Sequence, residues 1–133
     1  MKLLDSTFLI DIIRKKDDAL SKLAELGHEK VYTTRINAFE ILVGAFSIKS
    51  EKDTNIRLAE ILTIFQNLFV LELDEKSTLK AAQISGKLNR EGIRIEPSDC
   101  LIAGIALSNG ISAILTKNTK DFERIEGIKV ESY

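Results

Sequence analysis

The chain has 133 residues, 44% of them hydrophobic, which suffices for one domain with a buried core and is too short for two ordinary domains. Its 19 basic and 20 acidic residues nearly cancel, which excludes a protein held to nucleic acid or to an anionic membrane by a general basic surface. Because the lone Cys100 cannot form an internal disulfide and no apolar run reaches about 18 residues, we expect a single soluble, cytoplasmic domain over residues 1–133 with no membrane segment.

Strands and helices alternate along the first half of the chain. A short buried strand begins at Lys2 and leads into Asp5, after which "DSTFLIDIIRKK" predicts a helix capped by Asp5 or Ser6. The pattern then predicts, in order, a helix closed by Gly27, a strand at 30–34, helices at 35–46 and 51–68, and a strand at 69–73.

The second half continues the same alternation. It predicts a helix stopped by Gly92, a helix from Pro97 to Gly110, a strand at 111–116 and a last strand at 128–132. This order indicates an α/β fold of three layers, with a mostly parallel sheet of four to five strands between helices. Ligands of such sheets bind at the carboxyl ends of strands, which places Asp5 and the segment 116–118 on the candidate edge.

Two aspartates begin predicted helices, and each has two interpretations. Asp5 follows the first strand, and Asp99 opens "PSDCLIAGIAL" beside Ser98. Asp is a common helix cap, so capping explains either residue alone. A carboxylate can also cap with one oxygen and bind a metal with the other, so both roles stay open.

Glu40 lies inside the apolar helix "NAFEILVGAF". Ile36, Val43 and Gly44 share its helical face, so packing through that face would partly bury the carboxylate. A buried, unpaired carboxylate requires a cation or a raised pKa. The alternative is an exposed edge or an ion pair with Arg35.

Together the three acids suggest a centre for a divalent cation, and an all-oxygen donor set favours Mg²⁺ or Mn²⁺. A zinc site is not expected, because the only histidine, His28, has no companion at ligand spacing. The chain also has no Ser-His-Asp arrangement, no P-loop and no G-x-G-x-x-G motif.

Four blocks in this order resemble the PIN-domain ribonucleases, specifically the VapC toxins of type II toxin–antitoxin modules. They are "LLDSTFLID", "TTRINAFEILVGA", "PSDCLIAGIAL" and "ILTKNTKDFERIEGIKV". Each block alone is degenerate, but the likeness extends from Lys2 to Val130 and its order and spacing are specific.

The resemblance implies a PIN-like three-layer α/β/α fold and a site at its sheet edge. It implies that Asp5, Glu40 and Asp99 are the first three acids of that site and its metal ligands. Asn118 stands where many PIN domains carry a fourth acid, so either Asn118 or Asp121 would complete the shell. Asp121 and Phe122 have an alternative role as the cap and packing anchor of a short turn. The full implied catalytic set is Asp5, Glu40, Asp99, Thr116, Asn118 and Asp121, and Ser6 would assist.

The implied activity is hydrolysis of RNA phosphodiester bonds with Mg²⁺ or Mn²⁺, without a protein nucleophile. The implied partners are the RNA substrate, a cognate VapB-like antitoxin and a second copy of the chain in a homodimer. The stripe 58–68 and Phe46 are candidates for those interfaces, with core packing as the alternative. Phosphates beside the scissile bond would meet basic residues around the cleft, namely Lys2, Arg35, Lys117 and Lys120. The alternative is that these four residues are solvated surface.

Two rival functions remain open at this point. One is a non-catalytic PIN-like module that binds RNA or protein, which Asn118 favours and the three intact acids oppose. The other is a DNA-directed nuclease, which the short chain disfavours because it has no room for an added duplex-binding module.

Overall fold

The computed structural model describes all 133 residues, and none of its helices is both long and apolar enough to span a membrane. Its elements alternate as the sequence predicts. The strands are β1 (Lys2–Leu4), β2 (Val31–Thr34), β3 (Phe69–Leu71), β4 (Ala113–Leu115) and β5 (Lys129–Glu131). The helices are α1 (Ser6–Ile13), α2 (Asp17–Leu26), α3 (Arg35–Phe46), α4 (Glu51–Phe65), α5 (Glu75–Arg90), α6 (Pro97–Ser108) and α7 (Thr119–Phe122).

The five strands form one parallel sheet in the order β3-β2-β1-β4-β5. From the central β1 the chain builds outward through β2 and β3, and it then returns to place β4 on the other side of β1. The strand order therefore reverses between β1 and β4. A crevice opens at such a switch point beyond the carboxyl ends of the two strands.

Successive residues of the central strands point to opposite faces of the sheet, and each face has its own core. Leu3 and Ile114 pack in one buried cluster with residues of α5, α6 and α7. Leu4 and Leu115 pack in a second cluster with residues of α1, α2, α3 and α4. The predicted three-layer α/β/α fold is confirmed.

Helix α6, which carries Asp99, packs closely on α5. The approach depends on Gly104, since a Cβ added there would lie 2.7 Å from both the Cβ and the backbone nitrogen of Ala81. This contact fixes α6, and with it the first turn that contains Asp99.

Differences from the predicted elements are confined to their ends. The helix predicted to reach residue 68 ends at Phe65, and the strand predicted at 111–116 is limited to Ala113–Leu115. The turn predicted at Asp121 and Phe122 is the short helix α7, and Phe122 is fully buried as its packing anchor. Cys100 is buried, as the sequence suggests for a small apolar thiol.

Candidate active site

Asp5 lies at the carboxyl end of β1 and occupies the N-cap position of α1, yet its side chain makes no capping hydrogen bond. Its Oδ1 accepts a hydrogen bond of 2.9 Å from Nδ2 of Asn37, and its Oδ2 accepts one of 2.6 Å from the Thr116 hydroxyl. The residue is only 4% exposed. Capping therefore does not explain this acid, whose carboxylate is instead held in a fixed orientation by side chains from two other elements.

Asn37 is fully buried and connects Asp5 to Glu40. Its Oδ1 accepts from the backbone and hydroxyl of Thr34 in a capping box at the start of α3, which leaves Nδ2 free to donate. Nδ2 donates to Asp5 and, at 2.9 Å, to the Ser6 hydroxyl. Ser6 in turn donates to Oε1 of Glu40 at 2.8 Å.

Glu40 is half-buried, and burial raises its pKa above the usual range. The hydrogen bond from Ser6 opposes that rise in pKa, and the charge of Asp5 adds to it. The side chain has two oxygens, of which only Oε1 accepts a hydrogen bond from the protein, so the other oxygen is available to a ligand.

Of the two alternatives for Glu40, the ion pair with Arg35 is absent, whereas an exposed edge holds in part, because the side chain is only half-buried. Arg35 pairs with Glu72 through a two-pronged contact and is not available to Glu40. The predicted reason for burial is also wrong, because Val43 and Gly44 are exposed. It is proximity to α1 through Ser6 that keeps the carboxylate half-buried.

Asp99 lies in the first turn of α6, whose N-cap residue is Glu96. Neither Asp99 nor Ser98 caps the helix, because both lie inside it, and no side chain caps its N-terminus. Instead, Oδ2 of Asp99 accepts from Nδ2 of Asn118 at 2.8 Å. Asn118 thus contacts the acid cluster through its amide donor.

Burial raises the pKa of Asp99 to about 7, and the nearby negative charges of Asp5, Asp121 and Glu40 contribute to the rise. The hydrogen bond from Asn118 opposes it. The charges of these three carboxylates therefore act on Asp99 in the crevice between β1 and β4.

The fully buried Thr116 immediately follows β4 and organises the edge of the site. Its hydroxyl donates to Asp5 and accepts at 2.9 Å from the backbone N–H of Asn118. The Thr7 hydroxyl lies 3.2 Å from that of Thr116 and donates to Oδ2 of Asp5 at 3.4 Å. One buried hydroxyl thereby couples the orientations of β1, α1 and the segment after β4.

The acids have no protein cation. None of the ion pairs of the molecule includes Asp5, Glu40 or Asp99. Glu40 and Asp99 each keep one oxygen without a protein donor, and carboxylate oxygens are the ligand type that Mg²⁺ and Mn²⁺ prefer. The side chains do not form a ready-made cage of three ligands. A Mg²⁺ site needs only one or two protein carboxylates, with water and phosphate as its other ligands.

The PIN-domain profile matches residues 2–128 of the chain. The chain belongs to the PIN-domain family. The tRNA(fMet)-specific endonuclease VapC of Salmonella typhimurium is 30% identical over 132 residues, which cover 98% of this chain and 96% of that protein. Ribonuclease VapC1 of Rickettsia felis is 29% identical over 129 residues, which cover 96% of this chain and 92% of that one. A crystal structure of DNA-bound VapBC from Salmonella typhimurium aligns with a TM-score of 0.87 and 29% identity, covering 98% of this chain and 96% of that chain.

The PIN domain brings the predicted site residues together at the predicted edge. Asp5, Thr116, Asn118 and Asp99 form one hydrogen-bonded series, and Glu40 joins it through Ser6 and Asn37. Asp121 makes no hydrogen bond in this network and is linked to it through its charge on Asp99. It lies on α7, in a cavity that Arg94 and Glu96 also line.

Three of the four basic residues predicted to surround the site take part in ion pairs. Lys2 pairs with Glu131 and Arg35 with Glu72. The third, Lys117, contacts Asp11 and Asp18. Lys120 takes part in no ion pair, and neither does Arg94, which the sequence reasoning did not single out.

Sequence reasoning also missed Asn37 and Thr7, the two other side chains that contact Asp5. A signal for Asn37 exists: Thr34 ends β2, and a polar residue three positions later is the pattern of a capping box at the same sheet edge. No comparable pattern marks Thr7, which is one of several polar residues at the start of α1.

Proposed function

We propose that this PIN domain is a metal-dependent endoribonuclease and the toxin of a VapBC-type toxin–antitoxin pair, acting as a single domain over residues 1–133. The observation that carries the proposal is a cluster of carboxylates at the β1–β4 switch point with no protein cation. Two relatives named as a tRNA-specific endonuclease and a ribonuclease support RNA as the substrate class. The net charge of −1 agrees with a site that obtains its positive charge from a metal.

Asp5, Glu40 and Asp99 would hold Mg²⁺ or Mn²⁺, with Asn118 or Asp121 completing the shell directly or through water. When bound, the metal lowers the pKa of a coordinated water and offsets the charge of the scissile phosphate. Asp5 is already oriented for this role by Asn37 and Thr116. No protein nucleophile is required, which agrees with the absence of a serine or cysteine paired with a histidine at the site.

The RNA strand would run past the two unpaired cations near the acids. Arg94 lines the cavity beside Asp121, and Lys120 precedes Asp121 on α7. Both guanidinium and ammonium groups bind phosphate oxygens, and RNA held there would approach Asp99 from the α7 side.

An antitoxin would cover an exposed apolar surface on α3. Phe39, Val43 and Phe46 follow one another at helical spacing and are 66%, 47% and 67% exposed. Leu62 on α4 is 62% exposed, whereas Ile61 is in the core, so the predicted stripe 58–68 is only partly free. Exposed apolar side chains at this spacing suit a protein partner. Two observations support the antitoxin and the homodimer as partners: this exposed apolar surface and the likeness to VapBC.

A non-catalytic RNA- or protein-binding module is the second candidate. Asn118 favours it, because the amide donates a hydrogen bond to Asp99 where a carboxylate would add a charged ligand. Clustered carboxylates facing a polyanion oppose it, since without a metal they repel phosphates.

The test is cleavage of a mixed RNA pool by purified, partner-free protein with Mg²⁺ or Mn²⁺, and then with EDTA. Asp99→Asn is the site variant, and Glu91→Gln is the matched control because Glu91 is exposed and lies in no ion pair. The proposal expects metal-dependent cleavage by the wild type and Glu91→Gln and loss in folded Asp99→Asn. Absence of cleavage together with tight RNA binding by the wild type would favour the binding module.

A further inference from the structure

A charged cluster lies beside the acid site and is separate from it. Tyr133, which follows β5, donates its hydroxyl proton to Oδ2 of Asp11 at 2.8 Å, and Nζ of Lys117 lies 3.0 Å from the same oxygen. Lys117 also lies 3.1 Å from Asp18 and 4.8 Å from the centre of the Tyr133 ring. That ring packs edge-on against Phe8, at 4.8 Å between centroids.

The cluster draws on three separate parts of the fold. Asp11 is on α1 and only 6% exposed, Lys117 follows β4, and Tyr133 follows β5. Hydrogen bonds to ionised groups are among the stronger ones, and a half-covered pair is less screened than one at the open surface. The three residues therefore tie the segment after β4 to α1. We call Asp11, Lys117 and Tyr133 the brace.

The segment that the brace holds is the one that orients the acids. Lys117 lies between Thr116, whose hydroxyl donates to Asp5, and Asn118, whose amide donates to Asp99. No residue of the brace contacts either acid.

Backbone geometry transmits the constraint. The N–H of Lys117 donates to the Thr7 hydroxyl at 3.1 Å, and that hydroxyl lies 3.2 Å from the hydroxyl of Thr116. A shift of the Lys117 backbone would therefore disturb the hydroxyl pair that contacts Oδ2 of Asp5.

The amine of Lys117 is poorly placed to bind RNA. Two carboxylates and the face of an aromatic ring contact it, which offsets its charge and takes up two of its three N–H donors. A role in positioning accounts for these contacts, whereas phosphate binding would require breaking them.

We propose that the brace is a positioning device for the segment 116–118, which it holds in the conformation that presents the two aspartates to metal and substrate. The inference rests on the proposed function, and its residues are positioning residues that do not touch the reacting atoms. A small misplacement of such groups costs up to about 100-fold in rate.

The first test needs no activity. Amide hydrogen exchange is measured on metal-free protein for the wild type, Lys117→Gln and Tyr133→Phe. Lys87→Gln is the control, because Lys87 lies on α5 and forms an exposed ion pair with Glu126 that is separate from the brace. We expect the amides of Lys117 and Asn118 to exchange at least about tenfold faster in the two brace variants, with core amides and the control unchanged. Unchanged exchange at residues 117 and 118 would overturn the proposal.

The second test separates positioning from RNA contact. For Lys117→Gln and Asp11→Asn we expect kcat to fall about tenfold, KM for RNA to stay within about twofold, and the Mn²⁺ concentration for half-maximal rate to rise. The double variant should lose much less than the product of the two single losses, because both single variants remove the contact between Asp11 and Lys117. If Lys117 instead binds RNA, Lys117→Gln would raise KM, and Asp11→Asn would lower KM by releasing the amine. That result would overturn the brace.

Failure of the proposal and of the function can be told apart. If the wild type cleaves RNA and both Lys117→Gln and Asp11→Asn keep its kcat, only the brace is contradicted. A wild-type protein that does not cleave contradicts the proposed function, and hydrogen exchange then decides whether the brace holds the segment.

Discussion

Two groups of carboxylates are joined to the same three-residue segment, Thr116–Asn118, and they differ in how their charge is compensated. Asp5 and Asp99 are buried and bound by neutral donors, the Thr116 hydroxyl and the Asn118 amide. Asp11 is equally buried, but Lys117 lies against it.

The pKa values of the two groups move in opposite directions. Burial and neighbouring acids raise the pKa of Asp99 to about 7. Burial alone would also raise the pKa of Asp11, but the hydrogen bonds from Tyr133 and Lys117 hold it below its usual range. Asp99 and Asp11 are both nearly inaccessible to solvent, and they differ in that a lysine lies against Asp11 and none lies against Asp99.

The largest expected effect is on catalysis. Asp99→Asn and Glu40→Gln should reduce the initial rate of RNA cleavage at least about 100-fold, because each replaces a carboxylate that would bind the metal by a neutral amide with one oxygen. Asp18→Asn should keep the rate within about twofold, because Asp18 is exposed and Lys117 retains Asp11. Equal losses in all three variants would remove the distinction between the two groups.

Substitutions in the two groups should have opposite effects on folding. Asp11→Asn should lower the free energy of unfolding by about 1–3 kcal/mol, because it leaves Lys117 and the Tyr133 hydroxyl with a weaker partner. Asp99→Asn should raise the free energy of unfolding of the metal-free protein at pH 8, because it removes repulsion from Asp5, Asp121 and Glu40. Urea denaturation in EDTA measures both, and destabilisation by Asp99→Asn would mean that its charge is compensated within the protein.

Asp5 shows what the sequence could predict. Its position follows from two local patterns, an apolar strand before it and a helix after it, together with the rule that parallel sheets bind ligands at the carboxyl ends of strands. Lys117 shows what the sequence could not predict. Its place beside the site was evident, but its partners Asp11 and Tyr133 lie more than 100 and 10 residues away along the chain, respectively. Only the folded sheet brings such residues together. The sequence alone therefore suggested that the charge of Lys117 binds RNA. Glu40 was predicted in part. The sequence indicated partial burial of its carboxylate, but the contact that the structure shows is with Ser6 and not with the predicted helix face.

Stability of the metal-free protein should also depend on pH through Asp99. Its pKa is about 7 in the folded protein, while an unfolded Asp titrates near ~3.9. Between these values the folded state binds the proton more tightly, so this contribution to stability is full below about pH 4 and is lost as the pH rises through about 7. The free energy of unfolding in EDTA should fall less steeply from pH 5 to pH 8 in Asp99→Asn than in the wild type. Equal slopes would contradict the assignment.

The smallest expected effect concerns Arg94, one of the two unpaired cations near the acids. Arg94→Gln should raise KM for RNA about threefold and reduce the salt dependence of binding, because one exposed phosphate contact is lost. Arg90→Gln is the matched control, since Arg90 does not line the cavity with Asp121. A change in kcat alone would instead place Arg94 among the groups that orient the acids.

Mn²⁺ binding decides whether the uncompensated acids form a metal centre. Free Mn²⁺ is titrated into metal-free protein without RNA and followed by electron paramagnetic resonance, for the wild type, Asp99→Asn and Glu91→Gln. We expect saturable binding by the wild type and Glu91→Gln and at least about tenfold weaker binding by Asp99→Asn. Equal binding by all three proteins would mean that Asp99 is not part of a metal centre.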